Sequence, residues 1–135
     1  MRVLTLKEPF ATLISLKIKT TETRSWRTNY RGELYIHTSV KKPDYDYKSD
    51  DFKNIADKYD YNKLGYIICK CKLIDCIEMT EEYIEDMKKQ HYTDYLCGEY
   101  KIGRFAWILD DVEIIEPIEA KGRLGIWHYG EKDKN

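Results

Sequence analysis

The chain has 135 residues, of which 42% are hydrophobic and 13% aromatic, and its formal net charge is −1. This length predicts a single domain over residues 1–135 with one modest hydrophobic core. The aromatic content favours a folded protein over a disordered one. The near-neutral charge argues against a protein that coats DNA without sequence preference, because such domains are strongly basic.

The sequence predicts neither a membrane-spanning segment nor a metal site. No basic start leads into an apolar run, and no apolar run is long enough to cross a bilayer, so we predict no signal peptide and no membrane span. The expected compartment is the cytoplasm, where the cysteines at positions 69, 71, 76 and 97 remain reduced. Cys69 and Cys71 alternate as in a strand and lack the spacing of a zinc knuckle. We therefore expect buried structural thiols, no metal and no cofactor.

The first third of the chain predicts a strand, a helix and two further extended segments. Residues 2–6 form a short strand, and Pro9 suits the first turn of a short amphipathic helix. The chain is expected to become extended near Glu22. After a turn, residues 33–38 alternate as a strand.

The rest of the chain adds helices and strands of similar length. The predicted elements are a peripheral helix capped by Ser49 or Asp50, a strand over 66–74, a helix with Thr80 as N-cap, one or two strands over 104–115, and a frayed polar tail from Glu131. Several short strands with two or three helices predict a small barrel-like α+β domain.

Positive charge concentrates in residues 17–42, which hold seven Lys or Arg residues against two acids. A near-neutral protein that gathers positive charge in one place usually has an anionic partner there. Trp26, Tyr30, Tyr35 and His37 are interleaved with these charges. Charge beside flat aromatic faces is what single-stranded nucleic acid or a nucleotide requires of a binding site.

Within this stretch, Glu22, Arg24 and Trp26 share one face if the segment is extended, because strand side chains alternate with period two. Arg24 would bind a phosphate or carboxylate in bidentate fashion, and Glu22 would hold Arg24 or accept a proton from a ligand. Lys19 would add a point charge or, if desolvated, act as a base with a lowered pKa. The alternative is a fold-building ion pair in which Glu22 neutralises Arg24 or Lys19 and Trp26 fills the core.

Several other residues have two competing interpretations. His37 lies beside apolar strand residues, so a hydrogen-bonded histidine in the core or at a groove edge competes with a catalyst. Trp107 is predicted in the core, whereas Trp127 is either core or a lid over a ligand. The segment 75–100 holds eight acids and two lysines. It is expected to be a solvated helix face or, alternatively, the contact surface of a protein-interaction module.

One block of the sequence is specific enough to compare with known families. It comprises Lys-x-x-Glu-x-Arg at 19–24, Ser-Trp-Arg-Thr-x-Tyr-Arg-Gly at 25–32 and Leu-x-Ile-His at 34–37. These motifs closely resemble those of the ASCH (activating signal cointegrator homology) domain family. The resemblance spans nearly the whole chain and is weakest over 43–63 and 75–98.

The resemblance implies a PUA-like fold, a small β-barrel with flanking helices, and a cleft around Lys19, Glu22 and Arg24 that binds RNA or a nucleotide. It also implies that some relatives are enzymes, since one group deacylates acetylated cytidine and others act as ribonucleases. Two positions depart from the family pattern. Lys17 replaces a glycine, the residue that tolerates positive φ at a helix end. Glu22 replaces the threonine of the acetylcytidine amidohydrolases, where a hydroxyl can act as the nucleophile.

We therefore predict an RNA- or nucleotide-binding protein whose ligand-binding residues are Lys19, Glu22, Arg24 and Trp26, with His37 and Lys41 at the rim. Lys41 would meet backbone phosphate, and an aromatic side chain would stack a base. The alternative is a small hydrolase acting on RNA or an acylated nucleoside. In that enzyme Lys19 and Glu22 would be the catalytic groups of a closed pocket.

Overall fold

A computed structural model describes residues 1–130 as a curled, half-barrel sheet of six strands with four helices packed around it. The strands are β1 (Arg2–Leu6), β2 (Thr21–Arg24), β3 (Gly32–Thr38), β4 (Tyr66–Glu78), β5 (Phe105–Glu119) and β6 (Ile126–His128). The helices are α1 (Phe10–Ser15), α2 (Asp50–Ala56), α3 (Glu81–Gln90) and α4 (Tyr92–Leu96). The predicted tail from Glu131 lies outside the described residues.

The sheet is mixed and its strand order is β2-β5-β4-β3-β1-β6. β1 and β3 run parallel, because α1 and β2 carry the chain back between them, and the other neighbours are antiparallel. The α+β class is confirmed, and the segment predicted over 104–115 is one strand that continues to Glu119. β2 lies at one edge, where Glu22 is opposite Trp107 and Arg24 is opposite Phe105.

Two apolar clusters fix the position of α1 above the sheet. The larger cluster packs Ala11 and Ile14 of α1 against buried residues of the central strands, including Trp107, which is fully buried as predicted. The smaller cluster brings Leu13 of α1 together with Phe52 of α2 and with Cys97 just after α4. Since α1 belongs to both clusters, the end of α1 and the start of β2 are held beside α2 and α4.

Two helix starts follow the local sequence signals. The Ser49 hydroxyl accepts a hydrogen bond from the Phe52 amide at 3.2 Å, and the Thr80 hydroxyl accepts one from the Tyr83 amide at 3.1 Å. Both hydroxyls satisfy amides that have no partner inside their helices. The N-cap predicted at Thr80 is confirmed, and of the two caps considered for α2 the structure selects Ser49.

Candidate functional site

A cavity of about 970 Å³ opens between the start of β2, the turn before α2, and the segment from α4 to residue 100. Lys19, Glu22 and Arg24 all contribute to its lining. The predicted motif is therefore brought to a hollow large enough for a small ligand.

An ion-paired triad occupies the β2 side of this cavity. The Lys19 ammonium lies 3.2 Å from Glu22 Oε1, and the Arg24 guanidinium lies 3.2 Å from Glu22 Oε2. Lys19 is 1% exposed, whereas the Arg24 side chain is 26% exposed. Both carboxylate oxygens are thus occupied, and Arg24 is the member of the triad most available to a ligand.

Lys19 also donates to the Cys97 carbonyl oxygen at 2.7 Å, and its ammonium lies 5.7 Å from the centre of the Phe10 ring. An ammonium has three N–H donors, so Glu22 and Cys97 account for two of them among the described residues. Burying this charge without partners would cost several kcal/mol. The carboxylate and the carbonyl compensate for that cost.

The turn that precedes the triad is a Schellman motif with a lysine in the position usually held by glycine. Lys17 has φ of 64°, its amide donates to the Ile14 carbonyl, and the Ile18 amide donates to the Leu13 carbonyl. The departure at Lys17 that the sequence showed therefore falls on a left-handed backbone position. The turn keeps its geometry, at a conformational cost to the non-glycine residue.

Asp94 of α4 fixes where β2 begins. Its carboxylate accepts hydrogen bonds from the Thr20 amide at 2.7 Å, from the Thr20 hydroxyl at 2.5 Å and from the Thr21 amide at 3.1 Å. These bonds tie the first residues of β2 to α4, next to the Cys97 carbonyl that holds Lys19. The triad is consequently positioned from both sides of the cavity.

The lining of the cavity is strongly cationic. Two acids, Glu22 and Glu99, are surrounded by eight basic residues, which are Lys7, Lys19, Arg24, Lys41, Lys48, Lys88, Arg104 and Arg123. In a protein with a formal net charge of −1, this concentration produces a local positive potential that attracts anions. Lys41, placed at the rim by the sequence prediction, is exposed and does line the cavity.

Lys48 is a cavity residue that sequence reasoning missed. Its ammonium lies 4.9 Å from the centre of the Phe52 ring and 3.4 Å from the Gly98 carbonyl oxygen. Burial, and then the neighbouring Lys19 ammonium, lower the pKa of Lys48. Lys48 directly precedes the α2 cap, and nothing in that local sequence distinguishes it from a solvated lysine.

Trp26 is placed differently from the prediction. β2 ends at Arg24, so Trp26 is not part of the strand, and it is not among the residues lining the cavity. Its ring packs edge-on against Trp107 with centroids 4.7 Å apart, and its carbonyl accepts from Trp107 Nε1 at 3.3 Å. Trp26 lies next to the site through Arg24, whose guanidinium is 5.7 Å from the centre of the Trp26 ring.

The rim position expected for His37 is also corrected. His37 is 1% exposed and does not line the cavity. Its Nε2 donates to the Ala120 carbonyl at 2.7 Å, so its Nδ1 accepts from the Thr5 hydroxyl at 3.1 Å. Thr5 in turn accepts from Trp127 Nε1 at 2.9 Å, which places Trp127 in the core. Burial lowers the pKa of His37, which keeps the ring neutral.

The acidic segment 75–100 divides between surface and cavity. Glu81 and Glu82, in the first turn of α3, are exposed. The end of the segment instead contributes Tyr92, Tyr95 and Tyr100 to the cavity lining. The sequence analysis did not assign these tyrosines to the site, because the segment is acidic and only the fold brings it beside the basic stretch.

Residues 1–130 contain no cluster of three or more His, Cys, Asp or Glu side chains that would hold a metal ion. All four cysteines are free and buried, and burial raises the pKa of Cys71 to about 12. None of the helices in this part of the chain is both long and apolar enough to cross a membrane.

Comparison with known proteins adds independent information about the fold. The model of the ASCH domain family matches residues 4–119. The crystal structure of ASCH from Zymomonas mobilis has a TM-score of 0.63 at 15% sequence identity, over 98% of this chain and 90% of that one. A Tyr-to-Phe mutant of the Zymomonas mobilis protein gives a TM-score of 0.53 at 17% identity, over 87% and 74% of the two chains. No curated protein matches the chain. These similarities confirm the predicted PUA-like α+β fold.

Proposed function

Because this chain belongs to the ASCH domain family, whose members generally bind RNA, we propose that it binds single-stranded RNA or a nucleotide in the cavity around Lys19, Glu22 and Arg24. The observation that carries the proposal is the ion-paired triad on the wall of a cavity lined by eight basic residues and two acids. A buried ion pair contributes little to stability compared with apolar packing. Its position on a cationic cavity therefore supports a role in binding.

Each member of the triad has a distinct role in this proposal. Glu22 orients Arg24 through the 3.2 Å contact, and Arg24 presents its remaining N–H groups to a phosphate. Lys19 neutralises Glu22 on the buried side, so that the carboxylate does not repel an anionic ligand. Lys41, at the exposed rim, contacts phosphates further along the strand.

The test is the binding of a short single-stranded RNA at several salt concentrations. Phosphate contacts predict an affinity that falls steeply with salt, and Lys41→Ala should reduce the slope of log K against log salt by about 0.7. Lys72→Ala removes the same charge from an exposed residue that does not line the cavity, so it should leave the slope unchanged. Arg24→Lys should weaken binding although it preserves charge, because a lysine lacks the planar fork. If neither the RNA nor a mononucleotide binds, or if RNA binding does not change with salt, the proposal is wrong.

A hydrolase acting on RNA or an acylated nucleoside is a second candidate. The observation that favours it is the 3.2 Å contact between Lys19 and Glu22 on the cavity wall, since acid and base groups in an enzyme must lie within hydrogen-bond reach. Lys48, on the same cavity, has the lowered pKa expected of a lysine base. Turnover of acetylcytidine or cleavage of RNA that disappears in Glu22→Gln, under conditions where thermal unfolding shows this variant to be folded, would support it. Turnover no faster than the buffer rate would contradict it and leave the binding proposal intact.

We also propose that residues 1–135 form one domain in the cytoplasm. The apolar clusters connect α1, α2 and the segment after α4 across most of the described chain. Four buried cysteines without a disulfide fit a reducing compartment. A single cooperative unfolding transition would test the statement that the chain is one domain. Cell fractionation followed by detection of the protein would test its location.

A further inference from the structure

Three tyrosine rings stack in sequence along one wall of the cavity. The Tyr92 and Tyr95 ring centres lie 6.3 Å apart with an angle of 18° between the planes, and those of Tyr95 and Tyr100 lie 5.4 Å apart at 30°. All three line the cavity, and we call them the tyrosine ladder. Of the other ring contacts in residues 1–130, the Phe10–Phe52 pair is tilted at 33°, and the rest, such as Trp26 with Trp107 at 89°, are edge-on. The ladder is distinguished by three consecutive rings in stacked geometry.

Local structure explains how the ladder is assembled. Tyr92 and Tyr95 are three residues apart on α4, so they lie on the same side of the helix. Tyr100 follows Gly98, where an added Cβ would lie 2.9 Å from the Tyr100 ring and 2.7 Å from Thr23 Cγ2. A side chain at position 98 would displace the innermost ring, so the glycine permits the stack.

The outer end of the ladder is held in place and accessible. Tyr92 is 46% exposed, and its hydroxyl donates to Asp51 Oδ2 of α2 at 2.8 Å. Tyr95 supports Tyr92 within the stack. An aromatic ring restrained by a hydrogen bond and a stacked neighbour loses little entropy when a flat ligand binds to it.

The charges around the ladder indicate what kind of flat ligand it would accept. Lys48, Lys88 and Arg104 line the same cavity, so a ligand on the ladder lies within a cationic environment. A purely apolar ring has no anionic group to pair with these charges, whereas a nucleotide combines a flat base with an anionic phosphate.

We propose that the tyrosine ladder is a base-stacking subsite, in which a nucleobase stacks on Tyr92 while its phosphate meets the basic residues of the cavity. This inference rests on the proposed function and specifies which surface of the cavity receives the base. Larger purine rings should bind better than pyrimidines, because stacking increases with the area of overlap. Recognition by stacking accepts every base, so the subsite selects for single strands more than for sequence.

The test compares an oligoadenylate, an oligouridylate and an abasic phosphodiester oligomer of the same length, by fluorescence anisotropy at fixed salt. Tyr92→Ala should weaken oligoadenylate binding by about 5- to 150-fold, which is the range measured when a stacking aromatic is removed. Its affinity for the abasic oligomer should remain within about twofold of wild type, because phosphate contacts carry that binding. Tyr92→Phe keeps the ring and should retain most of the affinity. Tyr59→Ala, an exposed tyrosine that does not line the cavity, is the matched control.

The possible outcomes separate failure of the proposed function from failure of the stacking proposal. If wild type binds neither the oligomers nor a mononucleotide, the proposed function fails and this inference fails with it. If wild type binds RNA and Tyr92→Ala binds equally well, the ladder is not a base subsite, although the proposed function stands. If Tyr92→Ala loses the abasic oligomer as strongly as the oligoadenylate, Tyr92 acts by maintaining the cavity wall, and the stacking proposal is overturned. Thermal unfolding of each variant shows whether its fold is retained.

Discussion

Glu22→Gln tests the physical basis of the candidate site, because it removes one charge and almost no volume. The carboxylate neutralises a lysine that is 1% exposed, across a contact of 3.2 Å. With an effective dielectric constant of about 20, that contact alone contributes about 5 kcal/mol of Coulomb energy. Removing one partner of a buried pair typically costs about 3–5 kcal/mol, because the other charge remains desolvated.

We therefore expect Glu22→Gln to lower the free energy of unfolding by about 3–5 kcal/mol, a large part of the stability of a small domain. Urea denaturation measures this loss, and an unchanged m-value shows that the extent of unfolding is the same. In Lys19→Met/Glu22→Gln the stranded ammonium is gone, so about 2 kcal/mol should be recovered, and the double-mutant cycle gives the coupling energy of the pair. Lys72→Met, at an exposed lysine, is the matched control and should change stability by less than about 0.5 kcal/mol.

A loss below about 1 kcal/mol in Glu22→Gln, or strictly additive single mutants, would refute the reasoning, since either result means that water screens the pair. The same double mutant also separates the two interpretations of the motif. If Lys19→Met/Glu22→Gln is folded and binds RNA as tightly as wild type, the ion pair only builds the fold. If it is folded and binding is lost, the ion pair belongs to the binding site.

Three further predictions concern neighbouring features. Lys17→Gly should stabilise the protein by about 0.5–1 kcal/mol in urea titrations, because glycine relieves the left-handed strain at φ 64°. Lys17→Ala removes the charge and keeps the strain, so it should not stabilise the protein. Stability should fall as the pH drops below about 6.5, since the lowered pKa of His37 means that the unfolded chain binds a proton there that the folded chain does not. A His37→Gln variant should lose this dependence, and an unchanged pH profile would contradict the assignment. Gly98→Ala should destabilise by about 1–3 kcal/mol through overpacking, and adding Thr23→Ser, which removes the clashing Cγ2, should recover part of the loss in thermal unfolding.

Elements defined by short-range signals were predictable from the sequence. The N-caps at Ser49 and Thr80 and the alternating strand from residue 66 depend on neighbours within a few positions, and the structure contains them. The extent of β5 was not predictable to the same accuracy. Its second half is acidic and largely exposed, and pairing with β4 as far as Glu119 keeps it extended.

The candidate site was predictable in its motif and not in its surroundings. Lys19, Glu22 and Arg24 are close in sequence, so their spacing indicated that they would meet. Lys48 and the tyrosine ladder come from segments far along the chain, and the clusters around α1 bring them to the motif.

The sequence by itself determined the α+β class and the main helix caps, because these depend on local periodicity and local hydrogen bonding. It also determined that a lysine, a glutamate and an arginine are spaced so that they can interact. Only the tertiary structure decided which aromatic residues reach the cavity. Trp26 and His37 turn inward because Trp107 and Thr5 offer them packing and hydrogen bonds, whereas three tyrosines of an acidic segment turn toward the basic wall. The physical reason is that burial depends on partners distant in the chain, which no local pattern encodes.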